Sequence, residues 1–229
     1  MFGPAFVNQF DTVYSIHRLY KLPERPAYLD ISNIGWPCLR KQWYSMRFDP
    51  DYALPISARQ EQIKQQHKLT MLEELSFIGV NVQTPNFQIN HFNGQLSGSM
   101  DASGLNFAEA PKTWHVVQLD CLNDASFRQL SINKEIHGHG LPDGMFQKLQ
   151  SIMAITGMTR AFYLAENMNT GQLFKERVRY SAKVAKKYIN DAHEVIISEK
   201  EMDRISDNPE HKECLQCPWK NRCHFGYKK

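Results

Sequence analysis

Four cysteines are the residues of this chain best suited to inorganic chemistry: Cys38 toward one end, then Cys214, Cys217 and Cys223 toward the other. The second group, C-x₂-C-x₅-C, follows no helical or strand period. Thiolates at x₂ spacing can share one metal because a tight turn brings both sulfurs to the same point. All four are therefore expected at one centre. If it forms, the two ends of the sequence must meet, and most of the chain becomes one closed loop. The spacing fits a four-cysteine zinc site and an iron–sulfur cluster equally well. His224, directly after Cys223, is an alternative ligand, and Pro218-Trp219 would shield the centre from water.

These ligands need elements to hold them. Ser32 can cap a short helix, and Trp36-Pro37 brings Cys38 out of a turn ahead of Leu39, Trp43 and Tyr44. From Ala58 to Gly79 the spacing of Ile63, Leu69, Leu72, Leu75 and Ile78 predicts an amphipathic helix ended by glycine. VNVQ, NFQINHF, GQLSGSM and TWHVVQLDCL read as a β-meander whose last member is apolar enough for a central strand. Asp124–Leu130 reads as a short helix, Asn133–Asp143 as a polar Gly/His-rich loop, and Met145–Thr156 as a helix closed by Gly157. RAFYLAEN and QLFKERVRY are two more strands, joined by MNTG. Ser181–Glu199 is a final long helix with Val184, Tyr188, Ile189, Val195 and Ile196 on its buried side. This order predicts an α/β fold with a mixed sheet flanked by helices.

Composition narrows the class. With 229 residues the chain suits one substantial domain: 1–229, in which 1–30 is an N-terminal extension and 207–229 the ligand-bearing segment. Hydrophobic residues at 42% and charged residues at 22% are ordinary for a soluble protein. No apolar run approaches the roughly eighteen residues of a membrane span. The beginning, MFGPAFVNQFDTVYS, lacks a basic region followed by an apolar core, so no secretory signal and a cytoplasmic location are expected. A net charge of +3 points only weakly to nucleic acid. Five cysteines without a secretion signal favour reduced thiols and metal over disulfides. The fifth, Cys121, lies in an apolar stretch and reads as a buried small hydrophobe.

One distant cysteine followed by C-x₂-C-P-x₄-C resembles the iron–sulfur RecB-type nucleases: the CRISPR-associated exonuclease family, the AddB C-terminal domain and their phage relatives. ISNIGWPCLRKQWYSMRF is similar to the start of that family's core. HFNGQLSGSMDASGLNFAEAPKTWHVVQLDCLNDASFRQL and RAFYLAENMNTGQLFKERVRY are similar to the core strands of phage members. The resemblance runs from about Ile31 onward. It implies a PD-(D/E)XK restriction-endonuclease-like core, a [4Fe-4S] cluster on Cys38, Cys214, Cys217 and Cys223 in preference to zinc, and a phage protein of the host cytoplasm or the phage particle.

Such nucleases hold Mg²⁺ or Mn²⁺ between an acidic residue on one strand and an acidic-x-lysine pair on the next, and the lysine positions the attacking water. Aligned on G-x-x-D-G, this chain has Ser97 at the aspartate; the strand pair falls on Gln118 and Asp120. His67 stands where H-x-x-E begins, with Thr70 at its glutamate. Lys148 and Ile152 replace a glutamine and a tyrosine. Neutral Ser97 and Gln118 are weak ligands for a hard cation, and Asp120 reverses the lysine's charge. The resemblance thus implies a nuclease homologue without catalysis, acting as a DNA-binding or structural component of a virion or a replication or recombination complex. A shifted register, Gly98-Ser99-Met100-Asp101, offers the competing reading. There Asp101, Asp120 and His67 form a displaced cation site in an active metal-dependent DNA exonuclease.

The remaining candidates have plainer readings. Gly138-His139-Gly140 with His137 reads as a loop before it reads as a metal site. Arg128, Lys134, Lys148 and Lys175 can line a DNA groove or simply face solvent. Trp219 and Phe225 can stack on bases or pack beside the cluster. Lys183, Lys186 and Lys187 form the wet face of the last helix.

Overall fold

The computed structural model describes residues 27–50, 58–84 and 88–226, so most of the expected N-terminal extension lies outside the described residues. In chain order the first elements are β1 (Leu29–Asp30), α1 (Leu39–Ser45), α2 (Ala58–Phe77), β2 (Asn81–Gln83) and β3 (Gln88–His91). Next come β4 (Leu96–Ser99), β5 (Ala102–Leu105), β6 (His115–Leu122), α3 (Asp124–His137) and α4 (Met145–Thr156). Last are β7 (Arg160–Asn167), β8 (Leu173–Arg179), α5 (Ala182–Ile197), α6 (Lys212–Leu215) and α7 (Lys220–Phe225). No helix among the described residues is long and apolar enough to cross a membrane.

A five-stranded mixed sheet runs β2-β5-β6-β7-β8, in which β6 and β7 are parallel and the other pairs antiparallel. Helices α3 and α4 supply the crossover that a parallel pair requires. β6 has a strand on either side and is buried on both faces. Val117, Leu119 and Cys121 meet Met71, Leu72 and Leu75 of α2, while Val116 joins Leu149 and Ile152 of α4. Burial on both faces is why its sequence is a nearly continuous apolar run.

The expected meander is instead divided between two sheets. β2 and β6 lie in the large one, together with β5, a strand not expected from the sequence; β3 and β4 form a small one with β1, in the order β1-β4-β3. Only Met100 and Asp101 separate β4 from β5, and there the chain changes sheets. Helix α2 also differs from its apolar pattern: Ile63, Leu69 and Ile78 are 41%, 51% and 73% exposed. Its sheet-facing stripe is Lys64, His67, Lys68, Met71, Leu72 and Leu75, whose first half is polar because it meets polar groups of the sheet. Helix α3 runs beyond Leu130 to His137, where Gly138 closes it at φ +73°, so the expected loop is shorter at its start. Within it the buried Asn133 side chain donates to Leu141 O at 2.7 Å. Helices α4 and α5 match their patterns, with Ala185, Ala192, Val195 and Ile196 buried and Lys183, Lys186 and Lys187 on the exposed face of α5.

Aromatic and guanidinium groups dock the two cysteine-bearing segments. Trp43 Nε1 donates to Ser198 O (2.9 Å), and Arg47 donates to Val195 O, Ile196 O and Ser198 O at the end of α5. Buried Trp219 donates to Phe48 O and Asp49 O, both at 3.1 Å. Near Cys38, Gly35 crosses the start of α4 so closely that a Cβ there would stand 2.3 Å from Gly144 Cα. That crossing ties the Cys38 segment to the helix carrying Lys148.

Candidate catalytic pocket and candidate metal centre

The sheet change at Met100-Asp101 delivers Asp101 to the edge of β6. Its Oδ1 lies 2.8 Å from Lys68 Nζ of α2. Its Oδ2 accepts the Leu119 backbone N–H at 2.7 Å and a bond from Gln118 Nε2. Both carboxylate oxygens are therefore held by nitrogen donors. Gln118 is 5% exposed, and its Oε1 is buried with no hydrogen-bond partner among the described residues. An orphan acceptor of this kind costs about 1–3 kcal/mol.

Strand alternation puts Asp120 on the same face as Gln118. There Tyr163 of β7, the register partner of Gln118, donates its hydroxyl to Asp120 Oδ2 at 2.9 Å. Lys148 reaches the same space from α4, where its charge acts on Asp101, Lys68 and Asp120. Burial pushes the Lys148 pKa down, against the pull of Asp101. Burial also opposes the charge of Lys68, but Asp101 outweighs it and the Lys68 pKa rises. The result is two carboxylates interleaved with two amines.

Burial raises the Asp120 carboxyl above its ordinary value, with Tyr163 and Lys68 acting against the shift. An acid whose folded pKa exceeds its unfolded one binds its proton more tightly when folded. Its stabilising effect is complete below the unfolded pKa and is lost as pH rises through the folded pKa. Asp120→Asn removes this dependence. In urea titrations from about pH 4 to 7, the wild type should lose stability relative to the variant as pH rises; parallel curves would refute the assignment.

Of the residues singled out in the sequence, the structure brings Asp101, Gln118, Asp120 and Lys148 together. Ser97 lies in the small sheet, donating its hydroxyl to Asn90 Oδ1 at 2.9 Å. His67 Nδ1 sits 2.9 Å from Glu166 Oε2. Lys134 is paired with Glu176 and Arg128 with Asp124. His139 stacks on Phe146 with ring centroids 4.6 Å apart. Sequence reading missed Lys68 and Tyr163. Lys68 stands four and seven residues before Leu72 and Leu75, on the same helical face, and that spacing was its signal.

The four cysteines line one cavity with Arg40, Lys41, Tyr44, Lys220 and His224, enclosing about 350 Å³ of space not filled by atoms, part of it open to solvent. Cys38 caps α1, Cys214 lies in α6, Cys217 follows it, and Cys223 lies in α7. Burial raises the Cys214 and Cys217 thiols, and nearby Cys38 and Cys223 add to the shift. Arg40 Nη1 approaches Cys223 Sγ at 3.9 Å. The donor set suits a thiolate-bound metal group: a cationic core would relieve the mutual repulsion of four thiolates, and binding would release their protons. Among the described residues, no three His, Cys, Asp or Glu side chains converge on a point where a single ion would sit. Cys121 stands apart, its pKa pushed up to about 11 by burial.

No family model and no curated protein matches the sequence. Solved structures do share the fold. The alkaline exonuclease LHK-Exo from Laribacter hongkongensis matches with a TM-score of 0.53 at 12% identity, over 75% of this chain and 87% of that one. Its complex with dAMP matches over the same shares with a TM-score of 0.54. SSO0001 matches with a TM-score of 0.53 at 12% identity, over 93% of this chain and 94% of that one.

Proposed function

We propose that this is a nuclease-fold protein that binds DNA without cutting it, held together by a [4Fe-4S] cluster on Cys38, Cys214, Cys217 and Cys223, and serving within a larger DNA-handling assembly. The observation that carries the proposal is the occupation of both Asp101 oxygens by nitrogen donors, Lys68 among them. A divalent cation would have to displace that amine and then face Lys148 beside it. Neutral Gln118 offers little in return. A phosphodiester, by contrast, can be met by the half-buried amines of Lys68 and Lys148, the burial of Asp120 favouring its neutral form and so lessening the opposing charge. The dAMP complex of the exonuclease neighbour supports a nucleotide as the class of ligand. The four thiols line one cavity, a donor set that a thiolate-bound metal group can use. When bound, the group clasps the two cysteine segments.

One observation favours a second reading. Lys68 brings to Asp101 the amine that the acidic-x-lysine pair lacks, so Asp101, Asp120 and Lys68 could form a displaced site of an active metal-dependent exonuclease. Fluorescent single- and double-stranded DNA, with Mg²⁺ or Mn²⁺ and across a salt series, tests both. The first reading expects intact DNA, binding that weakens steeply with salt, and about tenfold weaker binding in Lys148→Gln. Cation-dependent cutting that Asp101→Ala abolishes would establish the second. Absence of binding at low salt would sink the DNA role.

A further inference from the structure

We propose a second site on the large sheet, an oxyanion pocket for a phosphate group built from Arg160, Arg179 and Arg177 over His115. It lies at the start of β6, about 17 Å of strand from Asp120. Strand register places His115 beside Arg160 and Arg160 beside Arg179, so three basic side chains share one face across β6, β7 and β8. Like charges directly opposite one another on neighbouring strands destabilise a sheet. Arg177 is answered by Glu109, with Nε 2.6 Å from Oε1. Arg160 and Arg179 have no carboxylate partner among the described residues.

These side chains line a cavity with Glu109, Ala161 and Val178. Its floor is buried and bonded: His115 is 1% exposed, its Nδ1 lies 2.8 Å from Thr113 O, and its ring centroid lies 4.5 Å from that of Phe107. Burial keeps this imidazole's pKa down. The charge around the cavity is thus three guanidiniums against one carboxylate, facing a space that a tetrahedral oxyanion can enter. Guanidinium forks match such oxygens bidentately. Lys175 continues the row outward along β8, at the two-residue spacing that keeps side chains on one face. The shared chemistry is phosphate, supplied either free in solution or by a nucleic-acid strand whose successive phosphates follow β8.

The test uses the whole protein and inorganic phosphate, with chloride at equal ionic strength as the control. Phosphate should raise the wild-type melting temperature through binding, and the Arg160→Gln/Arg179→Gln variant should bind it about tenfold or more weakly. In phosphate-free buffer the variant should be at least as stable as wild type, because the repulsion is gone; this crossover is not what lost packing would give. If a single-stranded oligonucleotide is also weakened by the double variant and by Lys175→Gln, the source is a nucleic-acid strand. If the oligonucleotide is unaffected while the phosphate response is lost, the site takes free phosphate. Equal phosphate responses in wild type and variant, or a variant unfolded in both buffers, would overturn the site. A response lost in Lys148→Gln but kept in the arginine variant would assign the anion to the Asp101 pocket instead, so the two proposals fail separately.

Discussion

The triple variant Gln118→Glu, Asp120→Lys, Lys148→Gln should acquire Mg²⁺- or Mn²⁺-dependent DNA cleavage at least about 10³-fold above wild type, corresponding to about 4 kcal/mol of barrier. The sheet change already places Asp101 at the edge of β6, bound to the Leu119 N–H. Gln118→Glu puts a second carboxylate beside it, where the buried Oε1 now lacks a partner. Asp120→Lys restores an amine two residues along the same strand face, beside the Tyr163 hydroxyl. Lys148→Gln withdraws the amine that would otherwise crowd the new lysine, and the carboxylate introduced at position 118 gives a cation a ligand that Lys68 does not occupy. The three changes keep two carboxylates and two amines in the pocket, so its charge stays balanced. Single changes upset that balance: Gln118→Glu alone adds a buried anion, and Asp120→Lys alone leaves three amines facing Asp101. Release of a quenched fluorophore from single-stranded DNA, with EDTA as the control, measures the gain. A folded triple variant that binds DNA and stays silent would show that the defect extends beyond the pocket.

How much of this was legible depends on the kind of signal. The β6 strand announced itself because burial on both faces leaves a continuous apolar run, and Gly157 marked the end of α4 by local chemistry. The pocket was harder. Motif spacing favoured Ser97, yet one-dimensional spacing does not show that the chain leaves the small sheet between Ser99 and Ala102. That change of sheet sends Ser97 to Asn90 and Asp101 to β6. Helix α2 misled in a related way. Its packed stripe begins with polar residues because it meets Asp101 and Glu166, so apolar periodicity alone selected Ile63 and Leu69, which face water. The arginine row was hidden altogether: Arg160 and Arg179 are distant in sequence and adjacent only through antiparallel register.

On the proposed [4Fe-4S] clasp, Cys217→Ser should lose the brown colour of an iron–sulfur protein together with about 5 kcal/mol of stability. A link across about 100 residues removes close to 4.7 kcal/mol of unfolded-state freedom, and each doubling of the loop adds only about 0.6. Cys38 and Cys217 lie somewhat farther apart than that. A loss of this size is comparable with the whole stability of many domains, about 5–15 kcal/mol. Full unfolding is nonetheless not expected at low temperature, because Trp219 fastens the same two segments to Phe48 O and Asp49 O without any metal. Trp219→Ala added to Cys217→Ser should remove that second fastening and unfold the chain. Cys121→Ser is the control: its sulfur packs against α2, away from the cavity, so colour and iron content should persist. Iron and sulfide analysis with urea titration decides the matter. One zinc per colourless chain would replace the cluster with a zinc clasp, and unchanged stability in Cys217→Ser would mean that the four thiols close nothing.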